Sequence, residues 1–190
     1  LTGGSGTVYA LEVNRNFPNV VFAGTESGRV WRSADFGITW TDITTGLPGR
    51  IINDIAADPT NPKRAFATVG GFNTAHLWEW TESGGWVARG ADLPNIPANT
   101  AVMLSGSELF VGTDVGVFRS VDGGVTNLPF VDGLPKGLVV TDLKYSGTLN
   151  KLTAGSYARG AWQVSLDPVS PILIFDSIVQ PLVEIDGDGD

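Results

Sequence analysis

The chain is organised as short apolar runs broken by glycine, proline, Asp and Asn, and the same order of runs recurs along it. An apolar stretch comes first, as at Val8 to Val13, Ile51 to Ala56 and Val139 to Tyr145. A turn follows, which reads Pro59-Thr60-Asn61-Pro62 in the second occurrence. Next comes a strand of small residues (Val20 to Gly24, Arg64 to Val69, Glu108 to Gly112, Lys151 to Gly155) and a glycine turn. An aromatic strand (Val30 to Ser33, His76 to Trp80, Val117 to Ser120, Ala161 to Ser165) comes after it. A fourth strand lies beyond an Asp-Gly turn, as in Trp40 to Ile43. Alternation with period two within these runs predicts four antiparallel strands per unit and leaves no place for a long helix.

One octapeptide exposes the period. Ser33-Ala34-Asp35-Phe36-Gly37-Ile38-Thr39-Trp40 recurs 87 residues later as Ser120-Val121-Asp122-Gly123-Gly124-Val125-Thr126-Asn127, with matching lead-ins from Ala23 and from Val111. Half of that spacing lies inside the ~40–50 residue period of propeller blades. Four units result, 8–48, 51–94, 100–135 and 139–167. The first three end in Leu47-Pro48, Leu93-Pro94 and Leu134-Pro135, where proline removes a donor as the chain leaves one sheet for the next. The expectation is an all-β fold, a β-propeller of four-stranded antiparallel blades spanning residues 1–167.

The fourth unit lacks an outer strand before Asp167-Pro168, and Leu1-Thr2-Gly3-Gly4 compares only with the end of such a strand, Ile43-Thr44-Thr45-Gly46. Propellers close by lending a strand from one chain end to the blade at the other. The four units therefore read as the C-terminal part of a larger ring of seven or eight blades. A closed four-blade ring and a pair of half-rings are the alternatives. Open blade edges invite either missing blades or self-association.

Composition narrows the function. With 42% hydrophobic and 17% charged residues the chain can bury a core, and a net charge of −8 without any Lys or Arg cluster argues against nucleic acid. No apolar run reaches the ~18–20 residues of a membrane span, so no membrane insertion is expected. The chain has no cysteine and one histidine, His76, which excludes disulfides and a zinc site.

The octapeptide Ser33 to Trp40 fits the pattern SxDxGxTW at every defined position and so resembles the Asp-box, or BNR repeat, of sialidase-like, xyloglucanase-like and sortilin-like propellers. The physical reading is structural. The Asp accepts hydrogen bonds from nearby amides, Gly supplies positive φ, and Trp is expected to plug the space between blades. Ser33, Asp35, Gly37, Thr39 and Trp40 form one box; Ser120, Asp122, Gly124 and Thr126 form the other, with Asn127 in place of Trp. The second unit keeps only Trp86 of the pattern. The segment Ala154 to Trp162 is similar to the one that ends many such propellers. The resemblance implies an exported bacterial protein placed outside the cell or at its surface.

A complete catalytic set is not legible. The resemblance to sialidases would require an arginine triad, a Tyr/Glu pair and an acid Asp converging on the axis, and these cannot be assembled. Other glycosidases need two carboxyls about 5–10 Å apart. Acids free of the boxes are Glu12, Asp54, Glu79, Asp114 and Asp142. Asp54 and Asp142 follow the same strand start in units two and four, at one end of the innermost strands, and Arg159 stands in a turn without counterpart. Asp54, Asp142 and Arg159 are the catalytic candidates. Trp78, Trp80 and Trp86 could stack on sugar rings or pack between blades.

Beyond Pro168 the composition changes. Residues 168–190 read as a strand followed by an acidic Gly-Asp linker or the start of a further module. Asp186, Asp188 and Asp190 have the alternate spacing with which calcium loops begin. No other cofactor is implied. The function expected is recognition or scaffolding of carbohydrate or protein. The alternatives are a glycoside hydrolase whose site is shared with absent blades and a structural subunit of an extracellular assembly.

Overall fold

A computed structural model describes residues 6–167; the proposed calcium ligands Asp186, Asp188 and Asp190, the 168–190 segment and Leu1 to Gly4 lie outside them. The described chain contains fifteen strands in four antiparallel sheets and no helix. Blade 1 is β1 (Val8–Val13), β2 (Val21–Thr25), β3 (Val30–Ser33) and β4 (Thr41–Asp42). Blade 2 is β5 (Ile52–Ala57), β6 (Arg64–Val69), β7 (Leu77–Thr81) and β8 (Gly85–Arg89). Blade 3 is β9 (Ala98–Met103), β10 (Leu109–Thr113), β11 (Gly116–Ser120) and β12 (Leu128–Phe130). Blade 4 is β13 (Val140–Ser146), β14 (Lys151–Ser156) and β15 (Gly160–Ser165).

Strand order within every sheet follows chain order. The inner strands β1, β5, β9 and β13 stand side by side around an axis, each against the next. No contact of similar extent joins β13 back to β1 among the described residues. The three Leu-Pro pairs fall in the crossings between sheets, as their missing donors predict. The third inner strand begins at Ala98, ahead of the expected Thr100, because a bulge at Asn99 lets Ala98 pair with Thr113.

Packing follows the alternation. Phe22, Phe66 and Phe110 occupy the same register on the second strand of blades 1, 2 and 3, opposite Glu12, Ala56 and Val102, and all three are fully buried. Burying each contributes about 1.5–3 kcal/mol relative to exposure. Their faces meet the next blade in three apolar clusters, one per junction. Phe22 meets Trp80 edge-on at 5.9 Å. Thr153 holds the corresponding register in blade 4, opposite Lys144.

The close approach of blades demands small residues at one position. A Cβ on Gly112 would lie 2.6 Å from both Val140 and Thr100. Gly112→Ala is therefore expected to destabilise by about 1–3 kcal/mol, the range for overpacking, as measured by urea unfolding against wild type.

Trp40 departs from its expected role as an inter-blade plug. It is half-buried and folds over its own turn, its indole N–H donating to the Gly37 carbonyl at 2.9 Å. Trp86 fills the junction instead, buried in the cluster between blades 1 and 2 and donating to the Ile43 carbonyl at 2.6 Å. The box Trp follows a turn and stands ahead of β4, which is only two residues long.

Candidate functional site

Each inner strand carries a bulge after its first residue, at Tyr9, Asn53, Asn99 and Thr141, where one residue is skipped in the pairing with the second strand. A bulge re-aims the side chains that follow it. It brings Ala10, Asp54, Thr100 and Asp142 into one register, and one residue beyond them Leu11, Ile55, Ala101 and Leu143.

Asp54 uses this placement to bind the neighbouring blade. Its Oδ2 accepts from the Thr100 hydroxyl at 2.7 Å and the Ala101 amide at 3.1 Å, and its Oδ1 accepts from the Ile55 amide at 2.9 Å. Burial raises its pKa, and these three hydrogen bonds, with the charge of Lys144, pull the other way. Thr100 repeats the device one blade on, its hydroxyl accepting from the Leu143 amide at 3.2 Å. The bulge asparagines add a second tie: Asn53 donates to the Ala98 carbonyl at 2.8 Å and Asn99 to the Val140 carbonyl at 2.9 Å.

A polar cleft of about 190 Å³ opens on the axis, lined by Glu12, Arg15, Asp54, Lys144 and Tyr145 over an apolar floor that includes Ala101 and Met103. Glu12 is pushed up to about 7, first by burial and then by the negative charge of Asp54. A backbone hydrogen bond from Ala57 and the charges of Lys144 and Arg15 lower it in part. Burial lowers the Lys144 pKa, but the hydrogen bond to Asp142 and the negative charges of Asp142, Asp54 and Glu12 outweigh it and raise the group overall. Arg15 spans the axis: its Nη2 donates to the Leu104 carbonyl at 2.7 Å and its guanidinium lies over the Tyr145 ring at 5.3 Å. Cation and ring thus satisfy each other, and blade 1 is tied to blades 3 and 4.

The predicted acids do not converge as a pair. Asp54 faces the cleft, whereas Asp142 stands on its rim, exposed, with Oδ1 3.1 Å from Lys144 Nζ. Glu12, weighed only as one of several free acids, is the carboxyl that shares the cleft with Asp54. Lys144, Arg15 and Tyr145 were not singled out from sequence. Three residues past the bulge is the register that puts Glu12 and Lys144 on the axis, and the bulge itself is not visible in the residue pattern. Arg159 lies on the exposed β14–β15 turn, where its carbonyl accepts from Trp162 at 3.1 Å, and it does not line the cleft.

The remaining candidates are absorbed by the fold. His76 is buried, with Nδ1 3.3 Å from the Val69 carbonyl and Nε2 3.3 Å from Asn95 Oδ1. Glu79 is buried between Arg64 at 2.5 Å and Arg89 at 2.6 Å. Asp114 accepts from Asn99 at 2.8 Å. Trp80 and Trp86 sit in the cluster between blades 1 and 2, with Trp78 packed against it. Among the described residues no three His, Cys, Asp or Glu side chains form a metal-binding group.

The two octapeptides share one hydrogen-bond pattern. Ser33 donates to Asp35 at 2.7 Å and accepts from the Gly37 amide at 2.8 Å; Ser120 donates to Asp122 at 2.8 Å and accepts from the Gly124 amide at 2.8 Å. Asp35 accepts from the Thr39 amide at 2.8 Å, Asp122 from the Thr126 amide at 2.9 Å. The bonds from Thr39, with that from Ser33, draw Asp35 down to about 2. Gly37 and Gly124 both take positive φ, 84° and 80°. Asn127 reproduces the Trp40 bond by donating to the Gly124 carbonyl at 3.1 Å, and reaches Asp92 of blade 2 as well. Each box thus closes on itself at the blade margin, and its residues do not line the axial cleft.

No protein-family model matches the chain, and no curated protein is similar to it in sequence. Its fold is shared by solved structures. The GH74 enzyme of Niastella koreensis superposes with a TM-score of 0.62 and 17% identity over 84% of this chain and 28% of its own. A structure of YCF48 bound to D1 peptide gives 0.59 and 15% over 80% of this chain and 49% of its own. An auxiliary nutrient binding protein from Bacteroides thetaiotaomicron gives 0.60 and 14% over 78% and 36%. The chain therefore spans less than half of each of these neighbours, and what it has in common with them is the β-propeller fold.

Proposed function

We propose that this chain is a recognition or scaffolding module on Asp-box propeller blades, which holds a charged segment of a protein partner in the axial cleft and carries no complete catalytic set of its own. The observation that carries this reading is the commitment of Asp54: both of its oxygens already accept from backbone or hydroxyl donors of the fold, so this carboxylate serves to join blade 2 to blade 3. Carbohydrate is the weaker ligand class, because Trp80 and Trp86 are consumed by packing and the Tyr145 ring is covered by Arg15. Among the fold neighbours one is described as bound to a peptide and another as a nutrient binding protein. An exported protein acting at or outside the cell surface fits this role, and calcium at Asp186, Asp188 and Asp190 belongs to the same proposal.

A second reading has one observation in its favour. Glu12 and Asp54 are two half-buried carboxyls with raised pKa in one cleft, a pattern found at acid–base sites, and one neighbour is a GH74 enzyme. The purified chain, incubated with xyloglucan oligosaccharides and with a fluorogenic sialoside, is expected to release no product. Turnover that disappears in Glu12→Gln would replace recognition by hydrolysis.

A further inference from the structure

We propose that two copies of this chain close one ring, with blade 4 of each seated on blade 1 of the other. This does not depend on what the axial cleft binds.

Inside the chain, successive blades are joined at matching register positions. The first is a knob and a seat. Ile52, at the start of β5, packs so closely on Gly24 of blade 1 that a Cβ there would lie 2.5 Å from its Cγ2, and Val140, at the start of β13, does the same to Gly112 of blade 3 at 2.6 Å. Between them, where the seat is Thr68, the knob shrinks to Ala98. The second position is the acceptor after the bulge, with Asp54 taking the Ala101 amide and Thr100 the Leu143 amide. The third is the bulge residue itself, with Asn53 and Asn99 donating to the carbonyls of Ala98 and Val140.

Among the described residues, blade 4 presents the giving half of all three positions to no following blade. Gly155 is its seat, and the nearest atoms a Cβ there would meet belong to Asp142 and Thr141 of its own blade, at 3.6–3.8 Å. Asp142 is its acceptor, and its side chain is exposed. Thr141, with a hydroxyl to donate, is its bulge residue.

Blade 1 presents the receiving half. Val8 is its knob, and the Val8 carbonyl and Leu11 amide hold the registers of Val140 and Leu143. Val8, Leu11 and Val13 are 43%, 66% and 49% exposed, whereas Ile52, Ile55 and Ala57 at the same registers of blade 2 are 0%, 1% and 7% exposed. The face of blade 1 has the chemistry of a covered face.

These two halves do not meet among the described residues, where β13 and β1 are not in extensive contact. They can meet between two chains, and a head-to-tail contact related by a twofold axis uses both pairs of open faces at once and ends there. Thr153 is a departure, standing where the first three blades carry Phe, and Gln163 donates to it at 3.1 Å. That substitution keeps the face of blade 4 polar when a copy is alone, as a repeat at the end of an array requires, and makes this the most readily reversed of the junctions.

Light scattering of the full chain, from dilute to concentrated solution, is the test. A mass twice the 20.0 kDa of one chain is expected. Gly155→Leu, at a position whose nearest neighbours belong to its own blade, and Val8→Asp should each return the single-chain mass while circular dichroism shows the fold intact. Mixing the two variants should restore dimers, because one seat and one knob remain whole between them. A single-chain mass for wild type at every concentration, an open series of larger masses, or a dimer that survives both substitutions would overturn the proposal. So would a mixture that stays monomeric.

Discussion

Replacing Glu12 by Gln is expected to stabilise the protein at pH 8 by on the order of 3 kcal/mol and to leave its stability at pH 4 nearly unchanged. Glu12 titrates at about 7 in the fold, against 4.5 for the free side chain, chiefly because it is buried and secondly because Asp54 faces it. Below pH 4.5 both folded and unfolded chains carry the proton, and its contribution to stability is whole. Between 4.5 and 7 the unfolded chain releases the proton first, so stability falls as pH rises. Above 7 both states are ionised and the fold bears the full penalty of a carboxylate in the cleft. Gln keeps the shape without the charge. Asp35, Asp122, Glu82 and Asp167 have lowered pKa values and push the overall profile the opposite way. The measurement is therefore the difference between variant and wild type in urea unfolding at each pH. A difference that does not grow from pH 4 to pH 8 would show that Glu12 ionises freely.

Loss of the Glu79 carboxylate should be the most damaging single change on the polar side of the core. Glu79→Ala is expected to destabilise by about 3–5 kcal/mol, the range for breaking a buried ion pair by removing one partner. Glu79 is held between Arg64 at 2.5 Å and Arg89 at 2.6 Å, and Arg64 is also bound to Asp58 at 3.1 Å and to the Gly106 carbonyl. Asp58 and Gly106 belong to different blades, so Arg64 is the link through which blade 2 grips the β9–β10 turn. Without Glu79 the Arg64 guanidinium, only 15% exposed, retains its desolvation and loses its closest counter-charge. Urea unfolding at neutral pH measures the effect. A loss below about 1 kcal/mol, the range of exposed pairs, would mean that water reaches the network and that the sites are not dry.

Much of the architecture could be read before any coordinates. Alternation along Val8 to Val13 or Leu109 to Thr113 is a local property, since a residue's face in a strand depends only on its parity. The period was carried by two octapeptides whose shared Ser and Asp hydrogen bonds close within a few residues of Ser33 and Ser120. Leu-Pro pairs marked the crossings for an equally local reason.

The site was decided elsewhere. Asp54 and Asp142 share a register in the residue pattern, yet one is bound by Thr100 and Ala101 of the next blade and the other stands at the rim with Lys144. Only the presence or absence of a following blade separates them. Glu12 owes its raised pKa first to burial in the cleft and then to Asp54, 42 positions away in the chain, while Lys144, 132 positions away, lowers it in part. Trp40 precedes the two-residue β4 and folds over its own turn, whereas Trp86 lies within β8 and reaches the Ile43 carbonyl of the neighbouring blade to fill a junction. Strand, turn and repeat arise from near neighbours and were determined by the sequence alone. Burial, desolvation and the pairing of blade faces arise from distant ones, and those only the tertiary structure could decide.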